Sequence, residues 1–222
     1  MTHSYMAELA LEGRLVWLIG AGKVANRKLD GLLPCGARVV VFAPQAHGRI
    51  AELAATGQIV HHQQPFDLVL LEQTPRPWLV FAATDDGPFN RAIAQACSHL
   101  GLLCNSADDA EVSGFRVPAV VRQGAVTVAV ASSGLSPALS RLLKERIENW
   151  LESGWHSLAA VFGTMRPLVQ QQLADPLLRQ RFWRHMAQQA ATEQRYRYQD
   201  NQPWFKQRME QFLKSSKSSS TE

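Results

Sequence analysis

The sequence has few cysteines, no long apolar run and no leader pattern. Its three cysteines, Cys35, Cys97 and Cys104, show neither CxxC spacing nor paired histidines at zinc-site distance, so neither a disulfide framework nor a bound metal is expected. The longest apolar runs fall far short of the ~20 residues that a membrane span needs, and no basic stretch precedes an apolar one at the N-terminus. We therefore expect a soluble, cytoplasmic protein without a membrane partner.

Acidic residues are scarce in the second half of the chain. Residues 1–112 contain 8 basic and 11 acidic residues, whereas residues 113–150 contain 5 and 2, and residues 151–222 contain 10 and 6. This basic surplus indicates either ordinary solvated helix faces or an anionic ligand for that half. The basic residues are not interleaved with aromatic ones and match no recognition motif, so no nucleic acid partner is expected.

Short apolar runs alternate with helical spacing over the first half of the chain. Strands that are apolar on both faces and alternate with helices are typical of a parallel sheet covered on both sides. We therefore predict an α/β fold with a Rossmann-like parallel sheet for residues 1–112. The predicted strands are residues 14–20, 38–43, 59–62, 78–83 and 101–104, and the predicted helices are residues 23–33, 46–56 and 89–100.

Residues 113–150 have a different pattern, that of a small strand-plus-helix segment. Residues 115–122 and 125–131 are strand-like runs joined by a short glycine turn, which is typical of a hairpin. Ser136 and Pro137 are the usual N-cap and first residue of a helix, which we predict to continue to Trp150.

Helical patterns fill residues 151–213, which we predict to form a C-terminal helical domain. The last residues, 214–222, are polar and are predicted to form a disordered tail. Breaks between the helices are predicted at Gly163, Pro167, Asp175-Pro176 and Gln202-Pro203.

The first predicted strand leads directly into a glycine-rich turn, GAGKVA, at the start of the first helix. In this G-x-G-x-x-A sequence Gly20 permits the tight turn and Gly22 lets the backbone approach a pyrophosphate. Ala25 allows the helix to pack closely on the strand. The free amides and the dipole of the helix start attract phosphates. Gly20, Gly22, Lys23, Val24 and Ala25 are therefore predicted to bind a dinucleotide.

The acidic residue that commonly binds the adenosine ribose is missing from the second strand. That strand ends at Ala43 and Pro44, without Asp or Glu at its tip and without a basic cluster for a 2′-phosphate. Pro44, Gln45 and nearby backbone groups are then the expected neighbours of the cofactor. The residues alone leave the choice between NAD and NADP open.

Further segments follow the glycine turn in register. They are GAGKVANRK at 20–28, GAR at 36–38, Ala43-Pro44, AATDD at 82–86 with Asn90, Cys104-Asn105 with Asp108, Phe115, Pro118 and SGLSPALSRLL at 133–143. Over residues 12–150 they together resemble the dehydrogenase–ferrochelatase module of siroheme synthase. That family combines precorrin-2 dehydrogenase and sirohydrochlorin ferrochelatase activities.

The resemblance implies a homodimer with three parts in each chain. Residues 1–112 bind NAD, residues 113–150 form an intertwined dimerisation segment, and residues 151–213 help to enclose a tetrapyrrole substrate. NAD oxidises precorrin-2 to sirohydrochlorin, and ferrous iron, a substrate rather than a bound cofactor, is then inserted to give siroheme. The methyltransferase half of trifunctional siroheme synthases is not expected in this chain of 222 residues.

Asp108 matches the position of the family's catalytic aspartate, which implies a general base for the proton lost on oxidation. It follows a predicted strand, and ligands of α/β sheets bind at the carboxyl ends of the strands, where the glycine turn also lies. Asp109 is the neighbour with which it could be confused. Thr84, Asp85 and Asn105 lie at corresponding strand ends and are expected in the cofactor cleft.

The tetrapyrrole carries eight carboxylates, which fits the basic surplus of the segments that would cover it. Arginine suits bidentate contact with a carboxylate. The candidate substrate-binding residues are Arg116, Arg122, Ser132 and Arg141, with Lys144 and Arg166 as further cations.

Several positions depart from the family pattern. Arg122 and Gln123 stand where the family commonly has Asp-Arg, Ser133 replaces a glycine before the Ser-Pro pair, and Ala21 replaces a loop glycine. These departures leave two alternatives open. One is a dehydrogenase without chelatase activity, and the other is a non-catalytic dimeric module that responds to NAD.

Overall fold

The computed structural model describes residues 4–151 and 154–218. Its contacts divide the chain into two compact units, Met1–Val117 and Pro118–Glu222. The first unit includes residues 113–117 because they pack onto its sheet, where the Phe115 ring meets the Phe81 ring edge to face at 5.3 Å. A further division of the second unit at residue 150 stays a prediction.

The first unit is built around five short strands, each of which overlaps a predicted one. In chain order its elements are β1 (Leu15–Ile19), α1 (Lys23–Leu32), β2 (Arg38–Phe42), α2 (Arg49–Ala55), β3 (Val60–His62), β4 (Leu79–Ala82), α3 (Gly87–His99) and β5 (Leu103–Ser106). The strands are parallel and lie in the order β3-β2-β1-β4-β5. This order confirms the predicted α/β, Rossmann-like fold and places β1 and its glycine turn at the centre of the sheet.

The sheet has an apolar core on each face. Val16 and Leu18 of β1 point into the core shared with α1 and α2, whereas Trp17 and Ile19 point into the core shared with α3. Because both sets of alternate side chains are buried, the central strands β1 and β4 are apolar throughout. The polar groups of this unit that can meet a ligand are therefore concentrated at the strand ends and loops.

The second unit is a hairpin followed by four helices. Its elements are β6 (Ala119–Gln123), β7 (Val126–Val130), α4 (Pro137–Trp150), α5 (Gly154–Gln172), α6 (Pro176–Thr192) and α7 (Gln202–Ser218). The predicted antiparallel hairpin and the predicted N-cap of α4 are confirmed, since Ser136 Oγ accepts from Leu139 N at 3.2 Å. The predicted start of the first hairpin strand at residue 115 is wrong. That strand begins at Ala119, because Phe115 packs on the first unit's sheet and Pro118 has no N–H to donate.

Gly163 and Pro167 do not break a helix, contrary to prediction. α5 continues through both, although an interior proline costs a helix about 3 kcal/mol. Met165 and Val169 lie on one face of α5 and are buried. Full burial of two such side chains contributes about 3–6 kcal/mol, which outweighs the proline.

Helices α5, α6 and α7 enclose a third core that is rich in aromatic residues. Phe182 and Phe205 are fully buried, and their rings meet edge to face at 5.9 Å. Phe162 and Trp183 pack against this core. Because α7 continues to Ser218, the predicted start of a disordered tail at residue 214 is wrong, and the rest of that predicted tail, residues 219–222, lies outside the described residues.

Residues 4–151 and 154–218 have neither a membrane-spanning helix nor a cluster of metal ligands. Within these ranges no helix is long and apolar enough to cross a lipid bilayer. The same ranges contain no group of three or more His, Cys, Asp or Glu side chains that could hold a metal ion.

Candidate functional site

The glycine turn follows β1 at the carboxyl edge of the sheet. Gly20 has a φ of 107°, and a Cβ at this position would overlap the carbonyl oxygen of Ala83, just after β4. Only glycine fits both the positive φ and the close approach. The Gly20 N–H donates to Phe42 O at 2.9 Å. Gly20 thus joins the ends of three neighbouring strands, β2, β1 and β4.

Gly22 and the first turn of α1 form an open cradle of backbone donors. Gly22 is the N-cap of α1 without a side-chain cap bond, and a Cβ there would meet nothing within 4 Å. The amides at the start of a helix, here those of Lys23, Val24 and Ala25, have no carbonyl partner within the helix. These donors and the positive end of the helix dipole suit a phosphate group.

Asn26 adds an unmatched acceptor to this cradle. Its Nδ2 donates to Gly22 O at 3.4 Å, whereas its Oδ1 is buried and has no hydrogen-bond partner among the described residues. A buried polar atom without a partner costs about 1–3 kcal/mol. The fit to a dinucleotide therefore rests on the free amides of the cradle, which suit its phosphates.

Asn90, in the first turn of α3, links the end of β4 to the end of β5. Its Oδ1 accepts from Thr84 N at 3.1 Å and from Thr84 Oγ1 at 2.7 Å, and its Nδ2 donates to Thr84 O at 3.1 Å. The same Nδ2 donates to Asp108 Oδ1 at 3.3 Å. Thr84 and Asp108, which come from separate sequence segments, are thus brought together, and the exposed Asp85 follows Thr84.

Asp108 turns one carboxylate oxygen towards the protein and the other towards a cavity. Oδ1 accepts from Asn90 Nδ2 and from Ser106 Oγ, the latter at 2.9 Å. Oδ2 lies beside Gly87, where a Cβ would come within 2.8 Å of it. A carboxylate held on one side and open on the other can take a proton from a bound molecule. The cavity has a volume of about 410 Å³ and is lined by Gly87, Pro88, Arg91, Asp108 and Asp109.

Asp109 has a different environment from its neighbour. Its Oδ2 forms an ion pair with Arg91, its Oδ1 accepts from Glu111 N at 2.9 Å, and its backbone oxygen accepts from Ser113 Oγ at 2.7 Å. Its side chain is 17% exposed. Asp109 therefore holds the loop after β5 in shape, whereas Asp108 keeps an oxygen available to the cavity.

Asn105 is buried in β5, and both ends of its amide are used within the first unit. Its Oδ1 accepts from Lys28 Nζ at 2.8 Å, and its Nδ2 donates to Phe115 O at 3.1 Å. Burial, and secondly the charge of Arg27, lower the pKa of Lys28. Asn105 thus ties α1 and the segment around Phe115 to β5, and its contact with a cofactor stays a prediction.

The carboxyl end of β2 offers neutral groups to a ribose. Pro44 and Gln45 follow the strand and are exposed. His61 Nε2 lies 2.9 Å from Ala43 O, and the His62 ring stacks on the last residue of β2 with centroids 5.0 Å apart. Neither a carboxylate for a 2′-hydroxyl nor an arginine for a 2′-phosphate stands at this strand end, so it does not distinguish NAD from NADP.

The predicted substrate-binding arginines are divided between the two units. In the first unit Arg116 is exposed, and its guanidinium donates to Ala110 O at 3.0 Å. In the second unit Arg122 is exposed on β6 and Arg141 is exposed on α4. Their contact with substrate stays a prediction.

Ser132 and Ser133 form the turn that precedes α4. Ser132 Oγ accepts from Ser136 N at 3.1 Å and from Ser140 Oγ at 2.9 Å. Ser133 has a φ of 53°, which favours glycine, and it is the position where the resembled family has a glycine. Ser132 therefore stabilises the turn, and its predicted role in substrate binding is untested.

Large apolar side chains are exposed along α4. Leu139, Leu142, Leu143 and Trp150, with Leu135 just before the helix, are between 41% and 73% exposed. The spacing of the α4 residues puts them on one side of the helix. We call these five residues the α4 apolar row, and such an exposed row is typical of an interaction surface.

The sequence did not predict a role for four polar residues of the site, which are Asn26, Asn90, Arg91 and Ser106. Asn90 belongs to the segments that carry the family resemblance, which is the one signal that could have singled it out. Arg91 and Ser106 gave no signal, because their contacts depend on how α3 packs beside β5.

Two family models match the chain. One, described as "Putative NAD(P)-binding", matches residues 8–119, just over half of the chain. The other, described as "Sirohaem synthase dimerisation region", matches residues 154–202. The second match lies after residues 113–150, the predicted dimerisation segment. It covers α5, α6 and the first residue of α7.

Siroheme synthases are among the relatives of this chain. Siroheme synthase 3 of Aeromonas hydrophila subsp. hydrophila is 35% identical over 176 residues, which cover 79% of this chain and 37% of that protein. The siroheme synthase of Chromobacterium violaceum is 37% identical over 175 residues, again 79% of this chain and 37% of that protein. The chain therefore spans little more than a third of the length of these relatives.

A solved structure described as "SirC, precorrin-2 dehydrogenase" has the same fold. It aligns with a TM-score of 0.72 and 22% identity, over 94% of this chain and 100% of that chain. The fold, the NAD(P)-binding match and the siroheme synthase relatives agree with one another. The chain belongs to the NAD(P)-binding family that forms the N-terminal module of siroheme synthases.

Proposed function

We propose that this protein oxidises precorrin-2 to sirohydrochlorin with NAD. One observation carries the proposal: the Asp108 carboxylate opens into a cavity at the sheet edge that also carries the phosphate cradle. Removal of a hydride and a proton from a substrate needs a hydride acceptor and a base at one site. The relatives and the solved structure supply the substrate class, a tetrapyrrole.

The cradle is the part of the chain that would hold NAD. Gly20 and Gly22 leave room for a pyrophosphate, and the amides of Lys23, Val24 and Ala25 donate to it. Bound NAD supplies the acceptor for the hydride.

Thr84, Asp85, Pro44 and Gln45 lie at neighbouring strand ends and would line the rest of the cofactor site. The Thr84 backbone and hydroxyl are already held by Asn90, so the strand end is ordered before a cofactor binds. An ordered site loses less conformational entropy on binding.

Asp108 would take the proton. Precorrin-2 loses two hydrogens in the oxidation. One leaves with two electrons as a hydride, and the other leaves as a proton. Oδ2 is the oxygen that faces the cavity, and it would accept that proton and pass it to water. Oδ1 keeps its two donors, Asn90 and Ser106, throughout.

Arginine side chains would bind the substrate's carboxylates. Arg91 is the cation that lines the cavity with Asp108, and its guanidinium is half exposed while Asp109 holds it. A rigidly held guanidinium suits a carboxylate ligand. Arg116 in the first unit, and Arg122, Arg141 and Ser132 in the second, are the other candidates.

Insertion of ferrous iron into sirohydrochlorin is the finer part of the proposal. The reaction replaces two pyrrole protons by Fe²⁺ and so needs a proton acceptor. Asp108 is a carboxylate already open to the cavity and could serve both reactions. The alternatives are a dehydrogenase that leaves metal insertion to another protein, and a non-catalytic module that responds to NAD.

A homodimer is the assembly that the exposed residues support best. The α4 apolar row would be covered by a second copy of the chain, since a monomer rarely exposes so many large apolar side chains side by side. The match of residues 154–202 to a dimerisation region also favours a dimer. These residues lie outside the α4 apolar row, so they would form a different dimer surface.

Incubation of the purified protein with precorrin-2 and NAD tests the proposal. We expect NADH and the absorption spectrum of sirohydrochlorin to appear together, and siroheme to follow when ferrous iron is added. NADH without siroheme supports the dehydrogenase-only alternative, and NAD binding without either product supports the non-catalytic module. A parallel assay with NADP determines the preferred cofactor.

A further inference from the structure

Asn90 is a polar residue that is almost fully buried, although its own helix does not need it as a cap. Its side chain is 1% exposed, in the first turn of α3. That helix is capped by another residue, Asp86, whose Oδ1 accepts from Phe89 N at 3.0 Å. The Asn90 amide is therefore not needed as a cap. Within the described part of the chain, the side-chain hydrogen bonds of Asn90 all go to Thr84 and Asp108.

The orientation of the Asn90 amide follows from its partners. The backbone N–H of Thr84 can only donate, and the backbone oxygen of Thr84 can only accept. Oδ1 must therefore face Thr84 N, at 3.1 Å, and Nδ2 must face Thr84 O, at 3.1 Å. The second hydrogen of Nδ2 is then directed to Asp108 Oδ1 at 3.3 Å. A reversed amide would place a donor against Thr84 N and an acceptor against both Thr84 O and Asp108 Oδ1.

Asp108 Oδ1 is consequently held by two donors from different elements. Asn90 Nδ2 comes from α3, and Ser106 Oγ comes from the end of β5 at 2.9 Å. Ser106 is itself 4% exposed. Rotation of the carboxylate about its Cβ–Cγ bond to an intermediate angle would leave these buried donors poorly paired, which costs free energy. Oδ2 is thereby kept towards Gly87 and the cavity.

We propose that Asn90, assisted by Ser106, is a positioning residue that fixes the orientation of the Asp108 carboxylate, so that the oxygen these two residues do not hold faces the cavity and acts as the base. The same amide also bonds Thr84 at the adjacent strand end. The inference rests on the proposed oxidation of precorrin-2 and extends it to residues that do not touch the substrate.

Asn90→Asp tests the inference with little change of shape. The new carboxylate still accepts from Thr84 N, but it cannot donate to Thr84 O or to Asp108 Oδ1 and repels both oxygens. Displacement of a catalytic group by about 1 Å can cost about 100-fold in rate. We expect kcat for NADH formation to fall about 10–100-fold, while the Kd of NAD, measured by calorimetry, stays within about twofold.

Three further variants separate positioning from folding. Asn90→Ala is expected to lose kcat to a similar degree, because it too lacks the donor. Ser106→Ala keeps the volume of the site, and we expect a smaller loss of kcat with unchanged NAD affinity. Ile93→Val weakens the buried face of the same helix, where Ile93 is fully buried, and should leave kcat at the wild-type value.

The outcomes distinguish this inference from the proposed function. If the wild type does not oxidise precorrin-2, both are overturned. If the wild type is active and Asn90→Asp keeps wild-type kcat, only the positioning role is overturned. The role is also overturned if Ile93→Val, matched for melting temperature, loses as much kcat as Asn90→Asp, or if NAD affinity falls in proportion to kcat.

Discussion

Single residues of the site differ in how far the sequence reveals them. Gly20 and Gly22 could be predicted because the turn, the phosphate cradle and the helix start are consecutive in sequence. The environment of Asp108 could not, because its partner Asn90 is 18 positions away. Only the pairing of β4 with β5 brings the two together. The distinction between Asp108 and Asp109 likewise needed the ion pair with Arg91.

The two glycines of the turn are expected to respond differently to alanine. Gly20→Ala places a Cβ against Ala83 O at a φ of 107°, and we expect the free energy of unfolding to fall by about 2–4 kcal/mol. Gly22→Ala has open space around the new Cβ. It should keep wild-type stability and weaken NAD binding, because the Cβ stands where the pyrophosphate would approach. Urea unfolding and calorimetric titration check both, and equal loss of stability in the two variants would contradict the steric argument.

Asp108 and Asp109 are expected to separate into a catalytic and a structural residue. Asp108→Ala should lower kcat by at least about 100-fold and leave the Kd of NAD unchanged. Asp109→Ala loses an ion pair and a turn hydrogen bond, so we expect it to lower stability by about 1 kcal/mol and to retain kcat. Loss of NAD binding in Asp108→Ala would argue against its role as a base.

At the scale of elements, local signals predicted most of the strands and helix starts. Apolar runs gave the five parallel strands, and Ser136 with Pro137 gave the start of α4. Local signals failed where packing outweighed them. α5 passes through Pro167 because its buried face stabilises the helix, and the strand before β7 starts late because Phe115 belongs to the first unit.

The burial of Lys28, on α1, makes the stability of the protein depend on pH. Burial lowers the pKa of Lys28 below its ordinary 10.5, so the folded protein releases this proton before the unfolded chain does. The free energy of unfolding therefore rises with pH between the lowered pKa and 10.5. We expect the stability of the wild type relative to Lys28→Met to increase over that window in urea unfolding. A difference that does not change with pH would contradict the prediction.

Ser133, in the turn before α4, is a position where glycine is expected to stabilise the protein. Ser133 has a φ of 53°, where a non-glycine residue is strained by about 1–2 kcal/mol. Glycine removes that strain but has more conformational freedom to lose on folding. We expect Ser133→Gly to raise the free energy of unfolding by about 0.5–1 kcal/mol, measured by urea unfolding. A destabilised Ser133→Gly would show that the serine has a stabilising contact in the folded protein.

At the scale of the whole molecule, the basic surface of the second half could be predicted from the sequence, but its apolar surface could not. The basic surplus of the second half could be counted in the sequence, and Arg122 and Arg141 are indeed exposed there. The exposure of the α4 apolar row could not be predicted. The same helical spacing is equally suited to a buried core face, and only the packing of the unit shows which one it is.

The dimer surface can be tested with two apolar-to-charged changes. Leu142→Glu alters the α4 apolar row, and Leu177→Glu alters an exposed leucine on α6, within the matched dimerisation region. If the row is the interface, Leu142→Glu should be a monomer in sedimentation velocity while Leu177→Glu remains a dimer. The reverse result would place the interface on the helical region, and circular dichroism controls for the fold.

The sequence by itself determined the parallel sheet, the phosphate cradle and the family resemblance, because each depends on residues that are close in the chain. The tertiary structure decided which aspartate is held in an ion pair and how the carboxylate of the other, Asp108, is oriented. It also decided that Asn105 is tied to Lys28 and that α4 leaves leucines exposed. These features depend on the ends of separate strands and helices meeting in space, and a local pattern does not encode the distance between them.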